Sequence, residues 1–244
     1  MSEGRASRLD LFVTPAIGLV LAVLLFVVWN YSDMDPTTER ILQPSDLWRQ
    51  LQQQVVLAFW STLLVIVVAI PLGIMVTRGG ARGLKNSTIG LLGLAQAVPA
   101  YGLIVLFFVW LGQGAFTVIL ALATFSLLPV LRNTIVGIEQ VDPAIIESGK
   151  GMGLTPVQRL LRIELPLSVP VIISGVRTAT VITVGMGALA FLIGGGGLGE
   201  TINAGLKLNR PTAIFVGAAL VALVALAFDW AGALAQRYLH PKGL

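Results

Sequence analysis

Six stretches of about 20 mostly apolar residues dominate this 244-residue chain, at 11–29, 55–76, 89–110, 116–136, 169–193 and 213–235. A helix needs about that length of apolar sequence to cross the ~30 Å hydrocarbon core of a bilayer. The pattern predicts an all-α, polytopic membrane protein with about six transmembrane helices in a single domain over 1–244. The balance of residues agrees, with 56% hydrophobic and only 11% charged and a mean hydropathy of +0.88. A soluble chain carries roughly 25% charged residues, so a water-facing surface cannot be built here. Disordered, collagen-like and disulfide-scaffold classes are excluded on the same grounds. The first run is too polar at its flanks, and lacks the small-residue cleavage site, for a removable signal peptide.

The chain has no cysteine and one histidine, His240. No catalytic set and no metal site is therefore expected. Lysine and arginine fall unevenly about the six runs. One side holds Arg5, Arg8, Arg78, Arg82, Lys85, Arg132, Lys150, Arg159, Arg162, Arg237 and Lys242, and the other Arg40, Arg49, Lys207 and Arg210. The positive side faces the cytoplasm, which predicts that both termini are cytoplasmic. The pI near 9.9 reflects this asymmetry and requires no nucleic-acid partner. Pro71, Pro99 and Pro129 fall inside runs, where each is expected to bend its helix. Such bends serve either packing or a central path for solute.

The most informative polar stretch is the loop at 137–166, on the side predicted to be cytoplasmic. Asp142 suits an N-cap, Pro143 suits the first helical position, and Val141 can staple against Ile146. Gly149, Gly151 and Gly153 are expected to break that helix. Thr155-Pro156-Val157-Gln158 is a capping-box pattern that starts a second helix, expected to end before Pro166. An ordered hairpin with charges of both signs calls for a docking partner. A loop lying on lipid headgroups is the other reading, though such helices are distinctly basic.

Glu147-Ser148-Gly149, then Gly153, then Ile163-Glu164-Leu165-Pro166 resembles the EAA signature of bacterial ABC-importer permeases. That signature reads Glu-Ala-Ala, three residues, Gly, nine residues, Ile-x-Leu-Pro. The spacing matches throughout, and Ser148 and Gly149 replace the two alanines. The resemblance extends over 96–205. Pro129-Val130-Leu131-Arg132-Asn133-Thr134, Gly151-Met152-Gly153-Leu154-Thr155-Pro156 and Gly175-Val176-Arg177-Thr178-Ala179 look like the osmoprotectant branch, which carries glycine betaine, carnitine or choline. The run Ile193-Gly194-Gly195-Gly196-Gly197-Leu198-Gly199 fits as well, although methionine-importer permeases carry a similar one.

The resemblance implies a type I (MetI-like) permease fold and a mechanism. Two permease subunits, the same chain or a similar one, form the pathway in the bacterial inner membrane. Two cytoplasmic ABC ATPases bind one EAA loop each. ATP and Mg stay on the ATPase, so no cofactor is expected on this chain. An extracytoplasmic binding protein, expected as a separate chain, delivers a small osmolyte. The coupling helix would span about 143–152, with Glu147, Ser148, Gly149, Met152, Gly153, Leu165 and Pro166 as the coupling positions. Glycine at 149 lowers helix propensity by about 1 kcal/mol relative to alanine. An amino-acid importer permease of the methionine type is the nearest alternative. An ion-coupled secondary transporter would call for intramembrane acidic or histidine relays and internal repeats, neither of which is evident. A purely structural membrane subunit would need no ordered coupling loop.

Other signals stay open at this level. Gly194-x-Gly196-x-x-Gly199 matches a dinucleotide fingerprint formally, but it lacks the strand and soluble βαβ context. A flexible turn or a re-entrant segment shielded by protein fits better, and the turn is the reading adopted. Arg177 and Asp229 lie within spans, so each must pair, snorkel or serve a gate. Gln96, Tyr101, Thr124, Thr180 and Thr183 are pathway candidates, although small polar residues also serve helix contacts. The glutamines at 50–54 read as an interfacial edge before the second span.

Overall fold

The computed structural model describes the backbone of residues 3–32, 34–78 and 82–239, and side chains at 12–32, 34–78, 86–94 and 96–239. The side chains of Arg5, Arg8, Arg82, Lys85, His240 and Lys242 lie outside the described residues. Among the described residues eleven α-helices follow one another: α1 (Glu3–Tyr31), α2 (Pro36–Ile41), α3 (Pro44–Arg78), α4 (Arg82–Ala97), α5 (Ala100–Leu111), α6 (Ala115–Glu139), α7 (Pro143–Gly151), α8 (Pro156–Arg159), α9 (Leu165–Gly187), α10 (Gly199–Lys207) and α11 (Pro211–Leu239). Among the described residues there is no strand. Among the described residues five segments are long and apolar enough to cross a membrane: Phe12–Tyr31, Pro44–Arg78, Ala115–Glu139, Pro156–Gly187 and Pro211–Leu239.

The expected third span is the exception. It is built from α4 and α5, which together lead from the Arg78 end of α3 to the start of α6 and are broken at Val98–Pro99. Proline lacks the N–H that would continue the ladder and drives the residue before it out of helical geometry. Pro99 accordingly sits at the N-cap of α5, with an extended ψ of 138°. Pro71, Pro129 and Pro170 stay inside unbroken helices. For Pro129 the compensation is visible: the carbonyl it strands, four residues back at Phe125, accepts a bond from Gln96 Nε2 at 3.0 Å. A neighbouring helix supplies the donor that proline removes.

At the centre, α3, α6 and α9 pack together, α11 lies on α9, and α1 lies outermost against α11. One cluster near the α5 side joins Leu57, Ile104, Val118, Leu122 and Ile193. A second joins Val65, Ala69, Val130, Leu131 and Ala179. The α6–α9 contact is close because Gly175 has no side chain. A Cβ there would stand 2.7 Å from Asn133 Cβ and 3.0 Å from the Pro129 carbonyl oxygen. Small residues let helices approach in this way where lipid provides no hydrophobic drive.

The fifth apolar run, expected to be helical to 193, leaves the α-helix at Gly187. A 3₁₀ turn (Ala190–Ile193) follows, then the glycine run, then α10. Gly194, Gly196 and Gly197 have φ of 75°, 74° and 96°, a left-handed geometry that favours glycine. Residues 195–199 are buried. The flexible turn is thus corrected to a packed segment of irregular backbone shielded by protein. What shields it is α3. Gln50 and Gln54 are buried, Gln54 at 0% exposed, Gln53 is half-buried and Gln52 exposed, so one face of the stretch expected to be an interfacial edge is interior. Its glutamines were misread because amide side chains count as polar in a hydropathy reading, whereas these find partners inside the fold.

Candidate functional site

The 137–166 loop folds as an ordered hairpin beyond the end of α6. Asp142 caps α7, its side chain accepting from Ala144 N–H at 2.8 Å, and Pro143 takes the first helical position. Of the three glycines expected to break the helix, Gly149 does not: α7 continues to Gly151. It ends where Gly153 turns left-handed at φ 76°. Gly153 N–H donates to the Lys150 carbonyl at 2.9 Å and Leu154 N–H to the Gly149 carbonyl at 3.1 Å. These two bonds form a Schellman stop, which needs a residue free to adopt positive φ. Thr155 and Gln158 then form the capping box in both directions, at 2.9 and 3.3 Å.

The second helix does not stop before Pro166. It runs unbroken from Pro156 to Gly187, through a π-helical turn at Leu160–Glu164 in which Leu165 N–H donates to the Leu160 carbonyl. Widening the turn to i→i+5 before the proline rearranges the ladder in which its ring would otherwise clash. Leu165 and Pro166 therefore begin α9, and the hairpin's second arm and the fifth span are one continuous helical element.

Two contacts fix the hairpin from within. Gly149 faces α8 and the π turn, and a Cβ there would stand 2.8 Å from Ile163 Cδ1. Ile163 Cδ1 is the tip of a flexible side chain, so a Cβ here would need that tip alone to move. Glu164, 4% exposed, takes a two-pronged ion pair from Arg78 at the end of α3. One arm, Nη1 to Oε1, measures 3.2 Å, and the other joins Nη2 to Oε2. The bidentate fork is the strong form of this interaction. Sequence reasoning missed this joint. The available signal was an acidic residue at the unassigned position of Ile-x-Leu-Pro and an arginine closing the second span.

The outward face of the hairpin carries Glu147, which pairs with Lys150 at 2.6 Å, and Ser148, which donates to the Ala144 carbonyl at 2.9 Å. It also carries Met152, Val157 and Leu161, all exposed. Apolar side chains standing exposed on a capped, braced hairpin form a surface suited to a partner.

The pathway candidates lie on α4, α5, α6 and α9. Gln96 serves the Phe125 carbonyl, and Thr124 donates to the Leu120 carbonyl at 2.8 Å. Thr180 and Thr183 are buried. Thr180 donates to the Val176 carbonyl and accepts from Thr62 at 3.4 Å. Thr183 donates to the Ala179 carbonyl and meets Ser126 at 2.9 Å. Tyr101 stands apart, exposed on α5. Of the readings left open for the two intraspan charges, the pair is the one observed. Arg177 Nε and Nη2 reach the Asp229 carboxylate at 2.9 Å each, and Nη1 donates to Gln236 Oε1 at 3.3 Å.

Residues 69–242 match the family model described as "Binding-protein-dependent transport system inner membrane component". The chain is 38% identical over 199 residues to the choline transport system permease protein OpuBB of Bacillus subtilis, covering 82% of this chain and 91% of that one. It is 40% identical over 184 residues to the glycine betaine/carnitine/choline transport system permease protein OpuCB of the same species, covering 75% and 84%. The osmoprotectant import permease protein OsmY of Salmonella typhimurium is 35% identical over 223 residues, covering 91% and 93%. In fold, the chain matches a structure of the MetNI methionine ABC transporter in an inward-facing conformation, with a TM-score of 0.70 at 21% identity, over 82% of this chain and 99% of that one. On this evidence the chain belongs to the family of binding-protein-dependent transport system inner membrane components, as an inner-membrane permease of an ABC importer.

Proposed function

We propose that this permease carries compatible solutes of the glycine betaine, choline or carnitine class, driven by ATP hydrolysed on a separate ABC ATPase that docks on the α7–α8 hairpin. The observation that carries the coupling is the hairpin's construction. It is capped at every turn, braced inward through Gly149 and the Arg78–Glu164 pair, and exposes Glu147, Met152, Val157 and Leu161. Glu147, Ser148, Gly149, Met152 and Gly153 form or shape the docking face. Leu165 and Pro166 join it to α9. The cargo class rests on the names borne by the relatives.

In this reading the hairpin and both termini are cytoplasmic, as the arginine and lysine asymmetry favours. ATP and Mg reside on the ATPase, a binding protein brings solute to the opposite face, and a second permease subunit completes the pathway. Tyr101, exposed on α5, is the pathway candidate available to such a subunit; Gln96, Thr124, Thr180 and Thr183 serve packing within this chain.

The test uses the complex purified from native membrane and reconstituted with its ATPase and binding protein. Glu147→Lys and Gly153→Asp are each expected to release the ATPase and reduce uptake of labelled choline or glycine betaine at least 10-fold. Retention of both ATPase and uptake overturns the coupling. Titration of the binding protein with glycine betaine, choline, carnitine and methionine decides the cargo against the amino-acid alternative. A single cysteine at Met152, in a chain with none of its own, reports the side by impermeant labelling.

A further inference from the structure

Helices α3 and α9 run antiparallel and are joined at three levels in one register. At the hairpin end Arg78 holds Glu164. Midway Thr62 meets Thr180. At the far end Gln54 Nε2 donates to the Val184 carbonyl at 2.7 Å. From that far end the clasp extends onto the glycine segment. Gly197 N–H donates to Gln53 Oε1 at 3.0 Å and Leu198 N–H to Gln54 Oε1 at 3.3 Å. Thr201 donates to Gln50 Oε1 at 2.6 Å, and Arg49 pairs with Glu200 at 3.2 Å.

The N–H groups of residues 197 and 198 open α10, where a helix has no partners of its own for its first donors. Here the acceptors come from another helix, 144 residues earlier in sequence. The glycines leave the room that this requires: a Cβ on Gly197 would stand 2.7 Å from Gln54 Oε1, and one on Gly187 the same distance from Gln54 Nε2. With 35 residues, α3 spans about 52 Å at ~1.5 Å per residue. One continuous helix therefore grips the coupling hairpin at one end and the glycine segment at the other.

We infer that Gln53 and Gln54 are positioning residues for transport: they bind the 194–199 segment to the α3–α9 pair, so that movement of the hairpin reaches that segment. The inference rests on the hairpin being the ATPase-driven element, as proposed above. Its test is hydrogen exchange on the whole complex in nanodiscs, without nucleotide and with MgATP plus vanadate, together with uptake of labelled glycine betaine per ATP hydrolysed. Gln53 is half-buried, so Gln53→Met removes the acceptor while sparing the deep packing at Gln54. Gln53→Glu keeps the acceptor and is the rescue.

In Gln53→Met the peptide over 194–201 is expected to exchange at least 10-fold faster and to lose its response to nucleotide. The hairpin peptide over 143–155 keeps its response, ATP hydrolysis stays within twofold, and uptake per ATP falls at least fivefold. Gln53→Glu returns the exchange and the uptake ratio toward the starting values. A 194–201 peptide that stays protected and nucleotide-responsive in both Gln53→Met and Gln54→Met overturns the inference. A wild-type hairpin that ignores nucleotide overturns the proposed function, and the transmission with it. The nucleotide-free comparison still reads the clasp by itself, so the two failures are told apart.

Discussion

The two ends of α3 are held by different chemistry. At the hairpin end the joint is ionic, Arg78 with Glu164, and the arginine keeps 33% of its side chain exposed. At the far end the buried part of the joint is made by neutral amides, with Gln54 fully buried, and the ion pair there, Arg49 with Glu200, stays at the exposed rim. A charge at the edge of the apolar region keeps part of its hydration, whereas a fully buried one loses it at a cost of several kcal/mol. An uncharged amide offers both a donor and an acceptor without that cost. Gln54 uses both, toward the Val184 carbonyl and the Leu198 N–H. The ends thus differ in the burial of the whole joint: Glu164 is buried but its partner Arg78 reaches solvent, whereas Gln54 and the residues it bonds, Val184 and Leu198, are all buried.

The difference predicts how each end fails. The largest effect is expected from Gln54→Leu, which strands a carbonyl and an N–H that water cannot reach. Each costs ~1–3 kcal/mol, and the loss is read as a lower melting temperature of the purified permease. A melting temperature equal to wild type would show that the far-end bonds carry no stability. Next comes Glu164→Ala, expected to cost about 2 kcal/mol. That is below the ~3–5 kcal/mol of breaking a fully buried pair, because Arg78 can turn toward solvent. Recovery in the swapped pair Arg78→Glu with Glu164→Arg would sharpen the ionic assignment, and no recovery would break it.

Gln96→Leu is smaller, about 1 kcal/mol for one stranded carbonyl at Phe125. It should be strongly non-additive with Pro129→Ala, since an alanine N–H at 129 can bond that carbonyl itself. Additive losses would rule out the role assigned to Gln96. The smallest effect is a pH dependence at Asp35, outside the spans. The Thr38 N–H at 2.7 Å is the main cause that holds its carboxyl below the ordinary value, and Arg210 helps, while desolvation opposes them. A lowered folded-state pKa means the contribution is complete above the unfolded value near ~3.9 and is lost as pH falls through the lower folded value. The stability difference between wild type and Asp35→Asn should therefore be flat from pH 7 to about 5 and shrink in stronger acid. A difference that grows in acid would contradict the cap.

What was readable in advance was local. The apolar runs, the Asp142 cap, the Thr155–Gln158 box and the EAA spacing each lie within a short window, where neighbouring residues set the backbone. The Arg177–Asp229 pair was reachable as one of three readings because an intraspan charge has few alternatives. The glutamines were misjudged for the opposite reason. Their partners lie 130 to 151 residues away, and nothing within α3 distinguishes an amide at a wet edge from one clasping a distant backbone. Pro166 was expected to follow the end of a helix, and a widened turn ahead of it carries the helix through instead.

By itself, the amino-acid sequence determined that this chain is built of bilayer-length apolar helices, where the caps of the 137–166 hairpin fall, and that it carries the spacing of the EAA signature. Apolar length and capping chemistry act over one or two turns, so they need no tertiary information. Only the folded bundle decided which polar groups are structural and which are presented outward. The third span broke at Pro99 while Pro129 was tolerated, and the glycine run became a buried segment gripped by α3. Each of those outcomes depends on whether a distant helix can supply the missing hydrogen-bond partner where water cannot.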